Sequence, residues 1–330
     1  MTGGIKLANG RFMPCIGLGT WQSSPEEVVR AVETAIDAGY RLIDTAAAYF
    51  NEKSIGEAVS NKINAGVIKR EDIFITTKLH IQYLHKEDVK PALERSLKAL
   101  GLDYVDLYLV HGPVPLQKSE SSPFPVGSDG RPLVDESVDH LDMWKGMEEV
   151  YKLGLAKAIG LSNFNSQQIK HIYDSAKVKP MNLQVECHAY CRQQELYDFC
   201  SNLGISFTAY APLGSPNRSG SILPKDKEAN AATAIQRTVP TGPMEEPTII
   251  EIAKRHEKTP AQVCLRYMIQ RGISVIPKSV KPARIQQNFD VDFTLTAEEM
   301  KTINCLPVNK RSFDSNVFVG CKYYPFDIPY

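Results

Sequence analysis

The chain carries no surplus of either charge: its 38 Lys and Arg balance its 38 Asp and Glu. A nucleic-acid or anionic-membrane partner wants a basic excess, so neither is expected, although a local basic pocket is compatible with the balance. No stretch approaches the roughly 18 uninterrupted apolar residues of a membrane span. The N-terminus, MTGGIKLANGRFMPCIG, lacks the basic segment and apolar run of a secretory leader. Paired cysteines are lacking too. The seven, at positions 15, 187, 191, 200, 264, 305 and 321, are odd in number and scattered. That usage fits reduced thiols, and a cytoplasmic protein is expected. Asn217-Arg-Ser is a formal glycosylation sequon, but it means little without secretion.

What is present is core material and a rhythm. With 330 residues, 43% of them hydrophobic, the chain can bury a large core. Short apolar runs alternate with turns and amphipathic helices. The strands are read at Cys15–Leu18, Leu42–Ile43, Ile73–Thr77, Val105–Val110, Ala158–Leu161, Asn182–Val185, Ser206–Tyr210 and Val275–Ile276. Helical stretches are read at Glu26–Ala38, Lys86–Leu100, Met143–Leu153, Gln167–Lys177, Gln194–Leu203 and Thr248–Arg271. Glycines such as Gly39, Gly66, Gly101, Gly154, Gly204 and Gly272 stand where C-terminal caps belong. Alternation of this kind means parallel strands with right-handed crossovers, and eight units in one chain favour a closed (β/α)₈ barrel. A single barrel domain over residues 1–330 is therefore expected. The competing open dinucleotide-binding sheet lacks its fingerprint, because Gly17-Leu-Gly19-Thr-Trp-Gln22 has no third glycine and no helix directly after it.

Two stretches break the rhythm. Gly112–Asp135 is rich in Pro, Ser and Gly, and Leu213–Pro247 is a long polar excursion with five prolines. Both follow strands, so both belong on the barrel face where active sites are built. The tail from Phe318 to Tyr330 is aromatic and without helical period, and reads as a third loop pressed onto an apolar surface.

Polar residues at the C-terminal ends of barrel strands carry the chemistry. Asp44 ends the second strand with Tyr49 in its loop, Lys78 ends the third, and His111 ends the fourth. Singly, each has an ordinary reading as a loop cap, a solvated cation or a bonded core histidine. Together they converge on one point. A buried lysine needs a counter-ion, which Asp44 supplies. The ammonium is then expected to lower the phenol's pKa from near 10, so that Tyr49 can give its proton to a carbonyl oxygen.

At these residues a resemblance is plain. Gly39-Tyr-Arg-Leu-Ile-Asp-Thr-Ala-Ala-Ala-Tyr-Phe-Asn-Glu52 with Gly56 resembles the signature of the aldo-keto reductase superfamily. So do Gly154-Leu-Ala-Lys-Ala-Ile-Gly-Leu-Ser-Asn-Phe164 and Ile276-Pro-Lys-Ser-Val280, in the right order from about Ile5 onward. The resemblance, nearest to the aldose and aldehyde reductase branch, implies a catalytic tetrad at Asp44, Tyr49, Lys78 and His111. It implies NADP(H) as cofactor, no metal, and a monomer acting on a small-molecule carbonyl. Ser162, Asn163 and Gln184 would bond the nicotinamide carboxamide, and Tyr210 would stack on its ring. Lys278, Ser279, Val280 and Arg284 would take the 2′-phosphate end, with Asn288 and Gln287 beside the adenine. Leu213 and Ser215 would approach the pyrophosphate, and Gly19, Thr20 and Trp21 would complete the contacts. Trp21, Tyr49, His80 and His111 would face the substrate.

Three departures from the family pattern stand out. Asn217 and Gln22 replace charged residues of the belt that closes over the pyrophosphate, predicting a weaker clamp, and Gln287 replaces the usual Glu. Gly112-Pro113 and His80 stand where relatives have tryptophans, predicting a wider pocket. The excursion 214–246 is longer than usual. Cys187-His188-x-x-Cys191 lacks the second ligand pair of a zinc site. The rival readings are a catalytically silent nucleotide-binding barrel and a sugar-phosphate isomerase. The first would tolerate loss of a tetrad member, and the second would lack the cofactor set.

Overall fold

The computed structural model describes residues 3–215, 242–328 and 330. A hairpin of β1 (Gly4–Lys6) and β2 (Phe12–Pro14) comes first. Then follow β3 (Leu18–Gly19), α1 (Pro25–Asp37), β4 (Leu42–Asp44), α2 (Glu52–Asn64), β5 (Phe74–Leu79), α3 (Lys86–Leu100) and β6 (Leu107–Val110). Next are α4 (His140–Lys152), β7 (Ile159–Ser162), α5 (Ser166–Ser175), β8 (Asn182–Glu186), α6 (Gln194–Asn202) and β9 (Ser206–Tyr210). The chain continues through α7 (Pro247–Arg255), α8 (Pro260–Gln270), β10 (Ser274–Val275), α9 (Pro282–Phe289) and α10 (Ala297–Asn304).

Strands β3 to β10 run parallel, each beside its predecessor. The ends meet: Ile16 bridges Val275 and Gly19 bridges Lys278, with Gly17 N–H donating to the Val275 carbonyl at 2.8 Å. This is the closed (β/α)₈ barrel that the alternation predicts.

Period-two alternation then sorts the side chains. Ile43, Ile75, Tyr108, Ile159, Leu183 and Phe207 belong to the cluster shared with the helices. Leu42, Phe74, Leu107, Leu109, Ala158 and Ile276 form a separate cluster that fills the barrel. Leu7 and Met13, from the hairpin and its turn, join this inner cluster. Asp44 lies two residues beyond Leu42, Lys78 four beyond Phe74, and His111 two beyond Leu109. The same register places Ser162, Gln184 and Tyr210 on the inner face. Above the apolar plug, the barrel mouth is therefore polar by arithmetic.

Local signals place the helices. Ser24 and Glu27 form a capping box on α1, with Pro25 at its first position. Gly101 ends α3 at φ +65°, where a side chain would be strained. The span Thr248–Arg271, expected as one helix, is two. Thr259 caps a new helix with Gln262 ahead of Pro260, and Glu257 sits at φ +53°. A residue preceding proline is driven out of the helical region, so the break falls there. The N-terminal hairpin and α2, α9 and α10 are further elements that the periodicity did not bring out.

Gly56 of α2 meets the end of α3 so closely that an added Cβ would lie 2.3 Å from the Leu100 carbonyl oxygen. Backbone cannot swing aside as a side chain can. Gly56→Ala is expected to lower unfolding free energy by about 1–3 kcal/mol. The exposed Glu57→Ala on the same helix stays within about 0.5 kcal/mol. Denaturant midpoints of the two variants check this.

Candidate active site

The mouth of the barrel opens into a cleft of about 900 Å³, a volume suited to a nucleotide with a small substrate. At its floor is a buried ion pair. Lys78, 1% exposed, donates to Asp44 Oδ1 at 2.5 Å and to the Thr45 carbonyl at 2.9 Å, and its third donor reaches the Tyr49 hydroxyl at 3.4 Å. The second Asp44 oxygen accepts from Gln184 Nε2 at 2.7 Å, across the barrel. Burial pushes the Asp44 carboxyl up and the Lys78 ammonium down, and their mutual attraction opposes both shifts.

Tyr49 ends a single 3₁₀ turn, Ala47–Tyr49, closed by Phe50 at φ +57°. Its ring stands edge-on to His111, with centroids 5.6 Å apart. The expectation that the ammonium acidifies this phenol is corrected by its surroundings. Burial, and after it the Asp44 carboxylate, hold the Tyr49 pKa well above 10, so the proton stays on. The expectation weighed the cation and left out desolvation. His111 is held well below the usual histidine range by burial, then by Lys78 and His80, so its imidazole is neutral.

Beside this floor lies a second bonded set. Asn163 donates to the His111 carbonyl at 2.9 Å and to Ser162 Oγ at 3.2 Å, and accepts from the Tyr210 hydroxyl at 2.9 Å. Asn165, not Ser162 or Asn163, caps α5, through a capping box with Gln168. That frees the Ser-Asn pair for the cleft wall.

At the far end Lys278, Ser279, Arg284, Gln287 and Asn288 line the cleft. Lys278 reaches the Gln22 carbonyl at 3.3 Å, and neither it nor Arg284 has an ion-pair partner among the described residues. Gly19, Thr20, Trp21, Leu213 and Ser215 line the same cleft. Val280 does not: it packs against the core. Lys78 sits behind the wall, touching the cleft only through Asp44 and Tyr49. Asn217 lies outside the described residues, as does most of the 214–246 excursion.

Three elements of the wall have no local signal in the sequence. Phe313 packs against Trp21 and Tyr210, with ring centroids 5.6 and 5.2 Å away. Its backbone N–H and that of Ser312 donate to the buried Glu186 carboxylate at 2.8 and 2.7 Å. Phe124 of the 112–135 loop packs on His80. His140 stacks on Tyr323 at 3.9 Å and bonds the Pro113 carbonyl at 2.7 Å, tying that loop to the C-terminal tail. The Cys187 and Cys191 thiols are buried, and His188 bonds Glu186 at 3.0 Å.

A (β/α)₈ barrel with a Lys–Asp couple, a phenol and an imidazole at its C-terminal mouth defines a class. The family model described as "Aldo/keto reductase family" matches residues 15–306, and the chain belongs to the aldo-keto reductase family. It is an oxidoreductase of that family. It is 45% identical to aldo-keto reductase family 1 member A1 of Gallus gallus, over 99% of this chain and 98% of that one. It is 41% identical to the protein of the same name from Mus musculus, with the same coverage. Among solved structures it is similar to the aldose reductase from Schistosoma japonicum, with a TM-score of 0.89 and 44% identity over 99% of both chains.

Burial sets an acid limit on this assembly. The imidazoles of His80 and His140 are each held at about 4, whereas an unfolded histidine titrates near 6.5. Below about pH 6.5 the unfolded chain takes protons that the folded chain refuses, so stability is complete above that pH and is lost toward pH 4. The loss is on the order of 2–3 kcal/mol per histidine. Denaturant midpoints measured across this window should fall, and less steeply in His140→Gln.

Proposed function

We propose that the cleft reduces aldehydes and ketones to alcohols with NADPH, and that Tyr49 is the general acid. The observation that carries this reading is a phenol whose proton is retained, 3.4 Å from a Lys78 ammonium that Asp44 holds in place. The residues also fit the cofactor. Lys278 and Arg284 offer two cations without ion-pair partners among the described residues, which suits a 2′-phosphate. Gln184 spends its amide nitrogen on Asp44, leaving its oxygen to accept from a carboxamide. Bound NADPH supplies a hydride to the carbonyl carbon.

The chain's own residues do the rest. Neutral His111 orients the carbonyl oxygen and donates to it as negative charge develops. Tyr49 transfers its proton to that oxygen as the carbon–hydrogen bond forms. The phenolate left behind faces Lys78, whose positive charge stabilises it. Ser162 and Asn163 stand beside His111, and Tyr210 and Trp21 offer ring faces to the cofactor and substrate. In this reading residues 1–330 form one barrel domain, working as a monomer in the cytoplasm on a small-molecule carbonyl. Full-length matches to the relatives support the single domain, and no described helix is long and apolar enough to cross a membrane.

Tyr49→Phe keeps the ring and removes the proton. With a generic aldehyde and NADPH, kcat is expected to fall by about 10²–10⁴, while the NADPH dissociation constant changes by less than about threefold. A fall under about tenfold rejects the assignment, and no turnover by the unmodified protein rejects the reductase reading in favour of a silent nucleotide-binding barrel. Lys278→Ala and Arg284→Ala are each expected to weaken NADPH binding by about 10–100-fold, the worth of a charge-assisted contact. NADH binding, followed by the same fluorescence titration, moves by less than about threefold.

A further inference from the structure

His80 follows β5 directly and forms part of the cleft wall. It is 4% exposed, with its ring packed 5.4 Å from that of Phe124 and 6.1 Å from that of Tyr83. One ring nitrogen is committed: Nδ1 lies 3.2 Å from the backbone N–H of Gln82 and accepts from it. A neutral imidazole that accepts at Nδ1 carries its proton on Nε2. That Nε2 is buried and has no hydrogen-bond partner among the described residues. Burial keeps the ring neutral, at about 4. Buried donors are nearly always satisfied, and an unmade bond costs more than a typical bond contributes. An orphaned N–H in the wall of a ligand cleft is therefore a group whose partner arrives with the ligand.

The tautomer is fixed by more than one contact. The Gln82 side chain donates to the carbonyls of Gln117 and Ser122 at 3.2 and 2.9 Å, and Leu116 N–H donates to the Ile81 carbonyl at 2.9 Å. These bonds fasten the 112–135 loop, which carries Phe124, to the three residues that hold the imidazole. The ring is thus clamped in plane and in protonation while its outer nitrogen stays free.

The geometry points to His80 as a specificity-determining residue whose Nε2–H receives an accepting oxygen on the substrate, away from the carbonyl being reduced. The inference rests on the carbonyl-reducing reading of the same cleft and names its substrate class: aldehydes and ketones that also carry an ether, hydroxyl or carboxylate oxygen. Tyr49 and His111 serve the reacting carbonyl, and Trp21, Ile81 and Phe124 give apolar wall on which an alkyl chain can lie. A purely alkyl substrate would bury the His80 donor unpaired. Sites built to bond a polar group discriminate against analogues that lack it far more strongly than apolar pockets discriminate by size.

The test is a series of straight-chain aldehydes in which one methylene is replaced by an ether oxygen at successive positions. Each is paired with its all-carbon counterpart and assayed with NADPH on the full chain. An ether accepts and cannot donate, so it probes Nε2–H alone. The unmodified protein is expected to prefer one ether position over its alkyl partner by about tenfold in kcat/KM. His80→Phe should abolish that preference, and His80→Gln, which restores a side-chain N–H, should recover part of it. A preference that survives in His80→Phe, or no ether preferred at any position, overturns the inference while leaving the reductase reading intact. Absence of turnover with every aldehyde sinks the reductase reading instead. In that case ¹⁵N spectra of the imidazole still decide the structural premise: a proton on Nδ1 refutes it.

Discussion

The site depends on a lysine ammonium buried at the mouth of a barrel whose interior is otherwise apolar. A desolvated cation is tolerable only if every donor is met and a counter-charge lies in contact. Lys78 meets that condition with Asp44, the Thr45 carbonyl and the Tyr49 hydroxyl, one partner per donor. Asp44 in turn needs a second donor, and Gln184 supplies it from β8, on the far side of the barrel from β4. The ion pair thus links three strands and leaves the phenol one direction in which to present its hydroxyl. Losing either charge would strand the other without water, so the geometry of the phenol and the integrity of the barrel mouth are one constraint.

That constraint also sets which way the proton is poised. Three influences act on Tyr49: the nearby ammonium favours phenolate, while the carboxylate behind it and the dry surroundings favour phenol. Desolvation is the largest of these, and the proton remains in place. For a reduction this is the useful balance, because the acid must be loaded before hydride transfer makes the carbonyl oxygen basic. The ammonium contributes afterwards, when the phenolate exists. A phenol acidified in the resting state would be ionised for part of the time and unable to donate.

Much of this was legible in the sequence because barrels turn alternation into geometry. Once Leu42, Phe74 and Leu109 are read as strand residues, period two sends Asp44, Lys78 and His111 to the same inner face, and parallel order brings them side by side. Helix ends were equally legible where a cap announced them, as at Gly101. The helix at 248–271 was misread because hydrophobic period continues through Thr259-Pro260, and only the capping box shows that a new helix begins. Phe313, Glu186 and the Phe124–His80 contact left no trace. Each joins residues separated by tens or hundreds of positions, and no local pattern encodes which loop will lean on which. The sign of the Tyr49 shift was missed for a related reason: neighbouring charges can be counted from a motif, whereas burial is a property of the assembled cleft.

The walls of the cleft are fastened differently from its floor, and this separates chemistry from selectivity. The floor is held by strands in register, so the reacting groups cannot move without disturbing the barrel. The walls are peripheral segments tied down by a few polar anchors. Glu186 accepts two amides of the 312–313 segment, His140 joins Pro113 to the tail ring of Tyr323, and Gln82 stitches the 112–135 loop to β5. Each anchor fixes backbone and leaves the neighbouring side chains free to vary. A substitution such as histidine at position 80 or glycine at position 112 therefore changes what the cleft recognises while the proton path from Lys78 to Tyr49 is untouched. Substrate range in this chain is thus encoded in loop side chains held by buried acceptors, one layer removed from the residues that transfer the proton.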